Sequence, residues 1–153
     1  MSALTEALES IDNWVQGHMP DHPAVMRQGL SQAEIEDNIQ GLSFQLPEEV
    51  HELYRWKNGG EKPFIPDPDA WDLATFFTLK EAISAAYEWQ GSVIFPLFLI
   101  EETGYFTVCT PETSALAPVY CSDIPEVAIA QPPQYSSLTA MMQELAAQLQ
   151  GRA

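Results

Sequence analysis

The chain has 153 residues, and its 22 acidic residues outnumber six lysines and arginines, which gives a formal net charge of −16. Such an acidic surface repels phosphate and anionic lipid, which argues against nucleic acid and membranes as partners. It would attract a basic protein, although acidity also serves solubility alone. The length suits a single core, so we treat residues 1–153 as one domain.

The cysteine count and the apolar runs indicate a soluble cytoplasmic protein. Cys109 and Cys121 are too few for a disulfide scaffold, and we expect both to be free thiols. The N-terminal stretch MSALTEALES carries acids where a secretory signal needs a basic start. The longest apolar run, VIFPLFLI at 93–100, is well short of the ~20 residues that span a bilayer.

Two helices are predicted before residue 46. Residues 3–16 place their apolar side chains on one helical face, and Gly17 is expected to end that helix. Residues 18–29 have the proline and glycine content of a loop. Ser31 and Glu34 then match a capping box, in which each residue's side chain bonds the other's backbone N–H, and they open a helix that buries Ile35.

The stretch LPEEVHELYRWKNGG, residues 46–60, predicts a third helix with both ends marked. Pro47 suits the first turn because its missing N–H would have no partner there, and the following glutamates favour the helix dipole. Asn58 and Gly59 offer the left-handed conformation that commonly ends a helix. The apolar face of this helix consists of Leu46, Val50, Leu53 and Tyr54.

The middle of the chain predicts a loop, a strand and a fourth helix. Residues 61–73 contain three prolines and three aspartates, which is typical of a loop. The segment ATFF at 74–77 predicts a short strand. Thr78 and Glu81 match a second capping box, and the helix that follows is expected to bury Leu79, Ile83, Ala86 and Tyr87.

From residue 92 the apolar pattern changes from a helical to a strand period. SVIFPLFLIEE, YFTVCT, APVYCS and EVAIAQ predict an antiparallel meander, with Pro96 at an edge or a bulge. A last helix is predicted at about 137–149, with an apolar stripe from Leu138 to Leu149. The order predicts an α+β fold, an antiparallel β-meander sheet with helices packed on one face.

This series of elements resembles the SUKH superfamily, which includes bacterial toxin-immunity proteins and fungal regulators of cell-wall glucan synthesis. The resemblance covers about residues 30–150 and leaves the N-terminal helix and loop, 1–29, outside it. It implies a small α+β domain without catalytic residues, which in bacteria commonly binds a cognate toxin and blocks it. One departure is the strand GYFTVCTPET, where Cys109 and Thr110 replace an expected acid. The most specific positions are Leu46, Pro47, Leu53, Tyr54, Asn58 and Gly59.

Metal and cofactor chemistry is not predicted. Asp67, Asp69 and Asp72 invite a calcium interpretation, but Asp72 holds the position where a calcium loop needs glycine. His18 and His22 have a zinc-like spacing that the intervening proline makes unsuitable for a helix. Adjacent carboxylates such as Glu101 and Glu102 would point to different faces and make a poor acid and base pair. The sequence has no nucleophile elbow, phosphate-binding glycine loop or HExxH helix.

The acidic surface is expected to bind a basic protein, because aromatic anchors ringed by charge are common at interfaces. From Glu81 to Gly151 there is no lysine or arginine. We therefore expect a non-enzymatic immunity protein that binds a basic toxin. The alternatives are a regulatory domain of the glucan-synthesis kind and a small hydrolase that uses Cys109 or Cys121. The predicted partner-binding residues are Asp67, Asp69, Trp71, Asp72, Glu101, Glu102 and Tyr105.

Overall fold

A computed structural model describes residues 2–18, 26–62, 74–100, 105–110 and 116–151. The helices among them are α1 (Ala3–His18), α2 (Gln32–Ile39), α3 (Glu48–Trp56), α4 (Leu79–Ala85), α5 (Pro125–Ala128) and α6 (Leu138–Gln150). The strands are β1 (Met26–Gln28), β2 (Lys57–Lys62), β3 (Ala74–Phe76), β4 (Tyr87–Trp89), β5 (Ser92–Ile100), β6 (Tyr105–Cys109) and β7 (Val119–Ser122). No helix in these ranges is both long and apolar enough to cross a bilayer.

The strands form one antiparallel sheet in the order β1-β2-β3-β5-β6-β7, and β4 pairs with the start of β5. Strands that are consecutive in the chain are also neighbours in the sheet, except that α4 and β4 are inserted in the chain between β3 and β5. The predicted α+β class with an antiparallel sheet is therefore confirmed, as are the first three strands of the predicted meander. Pro96 lies in the central strand β5, where the register with β6 shifts between Pro96 and Phe98. A bulge of this kind accommodates a residue that cannot donate to the ladder.

Five of the six described helices, all except α5, pack on the sheet through one continuous core. It joins Ile11 of α1, Leu53 of α3 and Leu145 of α6 to Phe76 and Phe95 of the sheet. The predicted stripe of α6 is confirmed, since it is buried at Leu138, Met141, Met142, Leu145 and Leu149. Both predicted capping boxes, at the starts of α2 and α4, form as expected.

Three boundaries differ from the prediction. α1 passes Gly17 and ends at His18, whose ring stacks on Trp14 with centroids 4.3 Å apart. β1 lies inside the predicted loop 18–29 and pairs with β2. α4 ends at Ala85 and Ala86 is extended, so Tyr87 begins a strand and is exposed rather than buried.

The segment EVAIAQ was predicted as the fourth strand of the meander, and this prediction is wrong. Its first residues belong to the short helix α5, which Pro125 opens at the first helical turn. The fixed φ of proline suits that position, and Ser122 Oγ accepts a hydrogen bond from the Ile124 N–H (3.0 Å) at the approach to the helix. The apolar alternation of the segment is therefore compatible with one turn of helix.

Asn58 and Gly59 do not cap α3 as predicted. The helix ends at Trp56, and Lys57 is already extended at the start of β2. Asn58 Oδ1 instead accepts the Leu79 N–H (3.0 Å) at the start of α4. Gly59 has φ +84°, and a Cβ there would lie 2.7 Å from the Thr78 nitrogen. The pair therefore holds β2 against the start of α4, where the backbones approach closely.

We predict that Gly59→Ala destabilises the protein by about 3–4 kcal/mol, because it combines the left-handed strain with a backbone clash. Gly41→Ala is the matched control, since Gly41 has φ +88° but nothing within 4 Å of an added Cβ. Strain alone should cost that variant about 1–2 kcal/mol. Urea unfolding measures both, and equal losses in the two variants would contradict the close approach at Gly59.

Candidate functional site

The predicted partner-binding residues fall mostly where the structure gives no description. Asp67, Asp69, Trp71, Asp72, Glu101 and Glu102 lie outside the described residues, as does His22. Tyr105 begins β6, and only its backbone is described. A partner surface at these residues therefore stays a prediction.

The residues that carry the SUKH resemblance have structural contacts. Leu46, Leu53 and Tyr54 are buried in the main core. The Tyr54 hydroxyl donates to the Phe77 carbonyl oxygen (2.9 Å), and burial raises the pKa of this phenol well above its usual value. These contacts join α3 to the junction between β3 and α4. The motif therefore holds the helix on the sheet.

Glu49 is the one acidic side chain among the described residues that is buried, at 5% exposure. Its Oε1 accepts the N–H groups of Ala117 (2.6 Å) and Leu138 (3.2 Å). Its Oε2 accepts the Thr139 N–H (2.7 Å) and the Thr139 hydroxyl. The carboxylate thus satisfies the first amide groups of α6, where the helix dipole favours negative charge. We assign it a structural role, because both oxygens are saturated with donors.

Both thiols are free, and neither has the properties of an activated nucleophile. Burial, with the nearby charge of Glu49, raises the pKa of Cys109 far above its usual range. Burial also raises the pKa of Cys121, whose sulfur lies 3.7 Å from Thr107 Oγ1. A reactive cysteine needs the opposite shift. Cys109 faces Val119 and Cys121 faces Thr107 in the register, so the two are diagonal rather than direct neighbours.

The described histidines make contacts with other protein groups. His18 Nδ1 lies 3.0 Å from the Trp14 carbonyl oxygen, and His51 Nδ1 lies 3.1 Å from the Gln32 amide nitrogen. Within the described ranges no group of three His, Cys, Asp or Glu side chains could hold a metal ion.

An exposed apolar surface forms where β4 meets α5, and we call it the β4–α5 surface. Tyr87 and Trp89 lie two residues apart on β4 and therefore share one face of that strand. They are 39% and 42% exposed, while Ile124, which precedes α5, and Val127 within α5 are 50% and 58% exposed. The hydrogen bond between Tyr87 and Glu126 brings the two elements together, and exposed large apolar groups commonly mark contact sites. The surface consists of Tyr87, Trp89, Asp123, Ile124, Glu126 and Val127.

One hydrogen bond joins the two halves of this surface. The Tyr87 hydroxyl donates to Glu126 Oε1 (2.5 Å). Burial of the hydroxyl, together with this bond to a carboxylate, raises the pKa of Tyr87 to about 12. The same bond is the main cause that lowers the pKa of Glu126. At neutral pH Glu126 is therefore charged and Tyr87 is a neutral donor.

Trp89 is presented by a tight hairpin. Gln90 and Gly91 connect β4 to β5 with φ values of +50° and +83°, and Trp89 pairs with Ser92 across the turn. Positive φ at both central residues is the property of the two-residue turn that suits strand twist. The backbone of Trp89 is therefore held beside the turn, at the tip of a short ribbon.

Two shallow grooves lie among the described residues. One has a volume of about 320 Å³ between α1 and α3, and Glu9, Glu52, Arg55 and Trp56 contribute to its walls. The other has a volume of about 280 Å³ beside β7 and includes Val127 of the β4–α5 surface. The second groove is lined by Tyr120, Cys121, Ser122, Val127, Ala128, Gln131, Pro132 and Gln134.

Comparison with known proteins assigns no family. No protein-family model matches the chain, and no curated protein matches it.

The β4–α5 surface was missed in the sequence for identifiable reasons. Tyr87 fitted the apolar period of α4, and Val127 fitted a strand period. Two local signals in the sequence instead indicated a hairpin turn after Trp89 and a helix start at Pro125. Gln90-Gly91 has a glycine at the second position of a two-residue turn, and Pro125 followed by Glu126 is typical of a helix start.

We predict that Glu49→Gln lowers the free energy of unfolding by about 3 kcal/mol, because an amide cannot replace a carboxylate that accepts from several donors. Glu48→Gln is the matched control, since Glu48 is 59% exposed in its ion pair with Arg55. An exposed pair of this kind contributes less than about 1 kcal/mol. Chemical denaturation measures the free energy of unfolding of both variants. A similar small decrease in the two would contradict the structural role assigned to Glu49.

We predict that Tyr87→Phe raises the pKa of Glu126 toward the usual glutamate value of about 4.3, because the hydrogen bond that lowers it is lost. Carbon-detected NMR titration of the carboxyl groups measures the change. Glu34 is the internal control, because its Ser31 capping contacts also lower its pKa and do not involve Tyr87. Any stability from the Tyr87 bond should be present above pH 4.3 and be lost at lower pH. An unchanged Glu126 pKa would contradict the contact.

Proposed function

We propose that this chain is a non-enzymatic protein-binding domain that contacts a basic protein, and specifically an immunity protein that neutralises a cognate bacterial toxin. The observation that supports this most directly is the β4–α5 surface. It exposes two aromatic and two aliphatic side chains beside Asp123 and Glu126. The chain from Glu81 to Gly151, which includes every residue of this surface, has no lysine or arginine.

The two kinds of group in this surface would act at different steps of binding. The net charge of −16 attracts a basic partner over a distance and speeds encounter, and salt weakens this attraction. Trp89 and Tyr87 supply apolar area and ring faces, on which a lysine or arginine of the partner can rest. The Tyr87 bond to Glu126 holds these two side chains in one arrangement. Less side-chain freedom is then lost on binding.

The toxin assignment is supported by the resemblance of residues 46–60 to the SUKH superfamily. A toxin that acts on nucleic acid carries a basic surface, because it must bind phosphate. An acidic protein can cover such a surface and block access to the substrate. The proposal therefore takes the partner to be a basic toxin domain.

Co-expression tests this function. Each candidate toxin domain encoded beside the gene is expressed with and without this chain, and survival and complex formation are scored. We expect one toxin to be neutralised, with a complex whose association slows as salt rises. Failure with every neighbouring toxin, together with capture of a basic host protein, would instead favour the regulatory alternative.

Variants of the β4–α5 surface locate the contact. We predict that Trp89→Ala weakens the complex about 30-fold, or about 2 kcal/mol, mainly through faster dissociation. Asp123→Asn with Glu126→Gln should slow association several-fold at low salt. Surface plasmon resonance measures both rates.

Each variant has a matched control. Leu116→Ala removes another exposed apolar side chain outside the surface, and Glu36→Gln with Asp37→Asn makes the same change in net charge on α2. Both should leave binding within about twofold, by the usual behaviour of residues outside an interface. A third variant neutralises Asp67, Asp69 and Asp72. If only this one slows association, the contact lies at the sequence-predicted residues and not at the β4–α5 surface.

A further inference from the structure

The strand β7 has one edge that is only partly paired. Among the described strands it lies at the end of the sheet, and it bonds β6 on its inner side. On the outer side Val119 exchanges both main-chain hydrogen bonds with Tyr135, at 3.0 and 3.2 Å. The N–H and C=O groups of alternate residues in an antiparallel strand point to the same side. The corresponding groups of Cys121 therefore also point outward, while those of Tyr120 and Ser122 point to β6.

The segment that pairs with Val119 does not continue to Cys121. In the antiparallel register of Val119 with Tyr135, the residue opposite Cys121 would be Pro133. Proline has no N–H to donate, so the exchange of two bonds cannot be repeated there. Within the described residues no backbone bond joins Cys121 to this segment.

The groove of about 280 Å³ lies at the point where this pairing stops. Cys121 and Ser122 of β7 form one wall of the groove. The other wall includes Gln131, Pro132 and Gln134, which belong to the segment that diverges from β7. Val127 lines the groove and also belongs to the β4–α5 surface. The groove is therefore a wedge between a strand edge and its diverging neighbour, and we call it the β7 wedge.

We propose that the β7 wedge accepts an extended segment of the basic partner, one residue of which exchanges two main-chain hydrogen bonds with Cys121. Unpaired main-chain groups at a strand edge are templates for a further strand, and many peptide-recognition domains bind in this way. The inference rests on the proposed function, because it takes the partner to be a basic protein. It adds the conformation of the bound segment and the place where it binds.

Charge selects the occupant of the wedge. Asp123 follows Ser122 directly, and Glu126 precedes Val127, so carboxylates adjoin two of the lining residues. Between Glu81 in α4 and the end of α6 the sequence contains no lysine or arginine. An extended segment with lysine or arginine beside its bonded residue is therefore favoured over an acidic one.

The probes for this inference are two peptides of eight residues, one alternating lysine with valine and the other alternating glutamate with valine. Backbone amides of the full chain are followed by nitrogen–proton NMR during titration with each peptide. We expect the lysine peptide to bind with salt-dependent affinity and to shift the Cys121 amide most strongly. The glutamate peptide should bind at least tenfold more weakly, and equal binding of the two would overturn the charge selection.

Amide hydrogen exchange tests the bonds without a substitution. In the free protein the Cys121 amide should exchange at least tenfold faster than its neighbours Tyr120 and Ser122, which bond β6. Saturation with the lysine peptide should slow exchange at Cys121 at least tenfold. If the peptide shifts Trp89 while exchange at Cys121 is unchanged, strand addition is overturned and binding to the β4–α5 surface stands.

A matched pair of variants separates the main chain from the side chain. Cys121→Pro removes the outward N–H, which β6 does not use, and proline is tolerated at such edge positions. Cys121→Val keeps the N–H and changes only the side chain. We expect the lysine peptide to bind Cys121→Val within twofold of wild type and Cys121→Pro at least tenfold more weakly, with folding checked by thermal denaturation. Equal binding to both folded variants would overturn the inference, and the hydrogen-exchange result decides if Cys121→Pro does not fold.

Discussion

The hydrogen bonds of the buried Glu49 carboxylate are the interaction on which most of this fold depends. This carboxylate lies on α3 and accepts hydrogen bonds from Ala117, ahead of β7, and from the first residues of α6. A buried carboxylate without partners would be very costly, so these three parts of the chain must be in place together. β7 and α5 lie between Ala117 and α6 in the chain. The position of the β4–α5 surface is thereby tied to one buried charge.

The sequence predicted features whose causes lie within a few residues. The capping boxes at Ser31 and Thr78 depend on residues three positions apart, and the stripe of α6 depends on a repeated helical spacing. The strand β2, KNGGEK, contains no β-branched or aromatic residue and could not be found in this way. It is a strand because β1 and β3 pair with it on either side, and Gly59 permits its close approach to Thr78.

The candidate site was less predictable than the fold because its contacts join distant positions. Tyr87 and Glu126 are 39 residues apart, and the sequence around either residue gives no basis for predicting a contact with the other. The exposure of Tyr87 follows from the end of α4 at Ala85, and boundaries are the least predictable part of a helix. The acidic character, by contrast, was readable directly, because it requires only a count of charges. The charge count was therefore enough to predict a basic partner, whereas the β4–α5 surface was found only in the three-dimensional structure.

The Glu49 contacts also constrain the order in which the chain can fold during synthesis. The partners of this side chain lie 68, 89 and 90 residues after it. Until Thr139 has left the ribosome, α3 carries an apolar face and a carboxylate whose final donors do not yet exist. Contacts so distant in sequence are slow to form, and the waiting chain exposes apolar surface. The native packing of α3 is thus completed only after translation has reached the last helix, and a chain truncated before α6 would be a substrate for chaperones and proteases rather than a smaller folded domain.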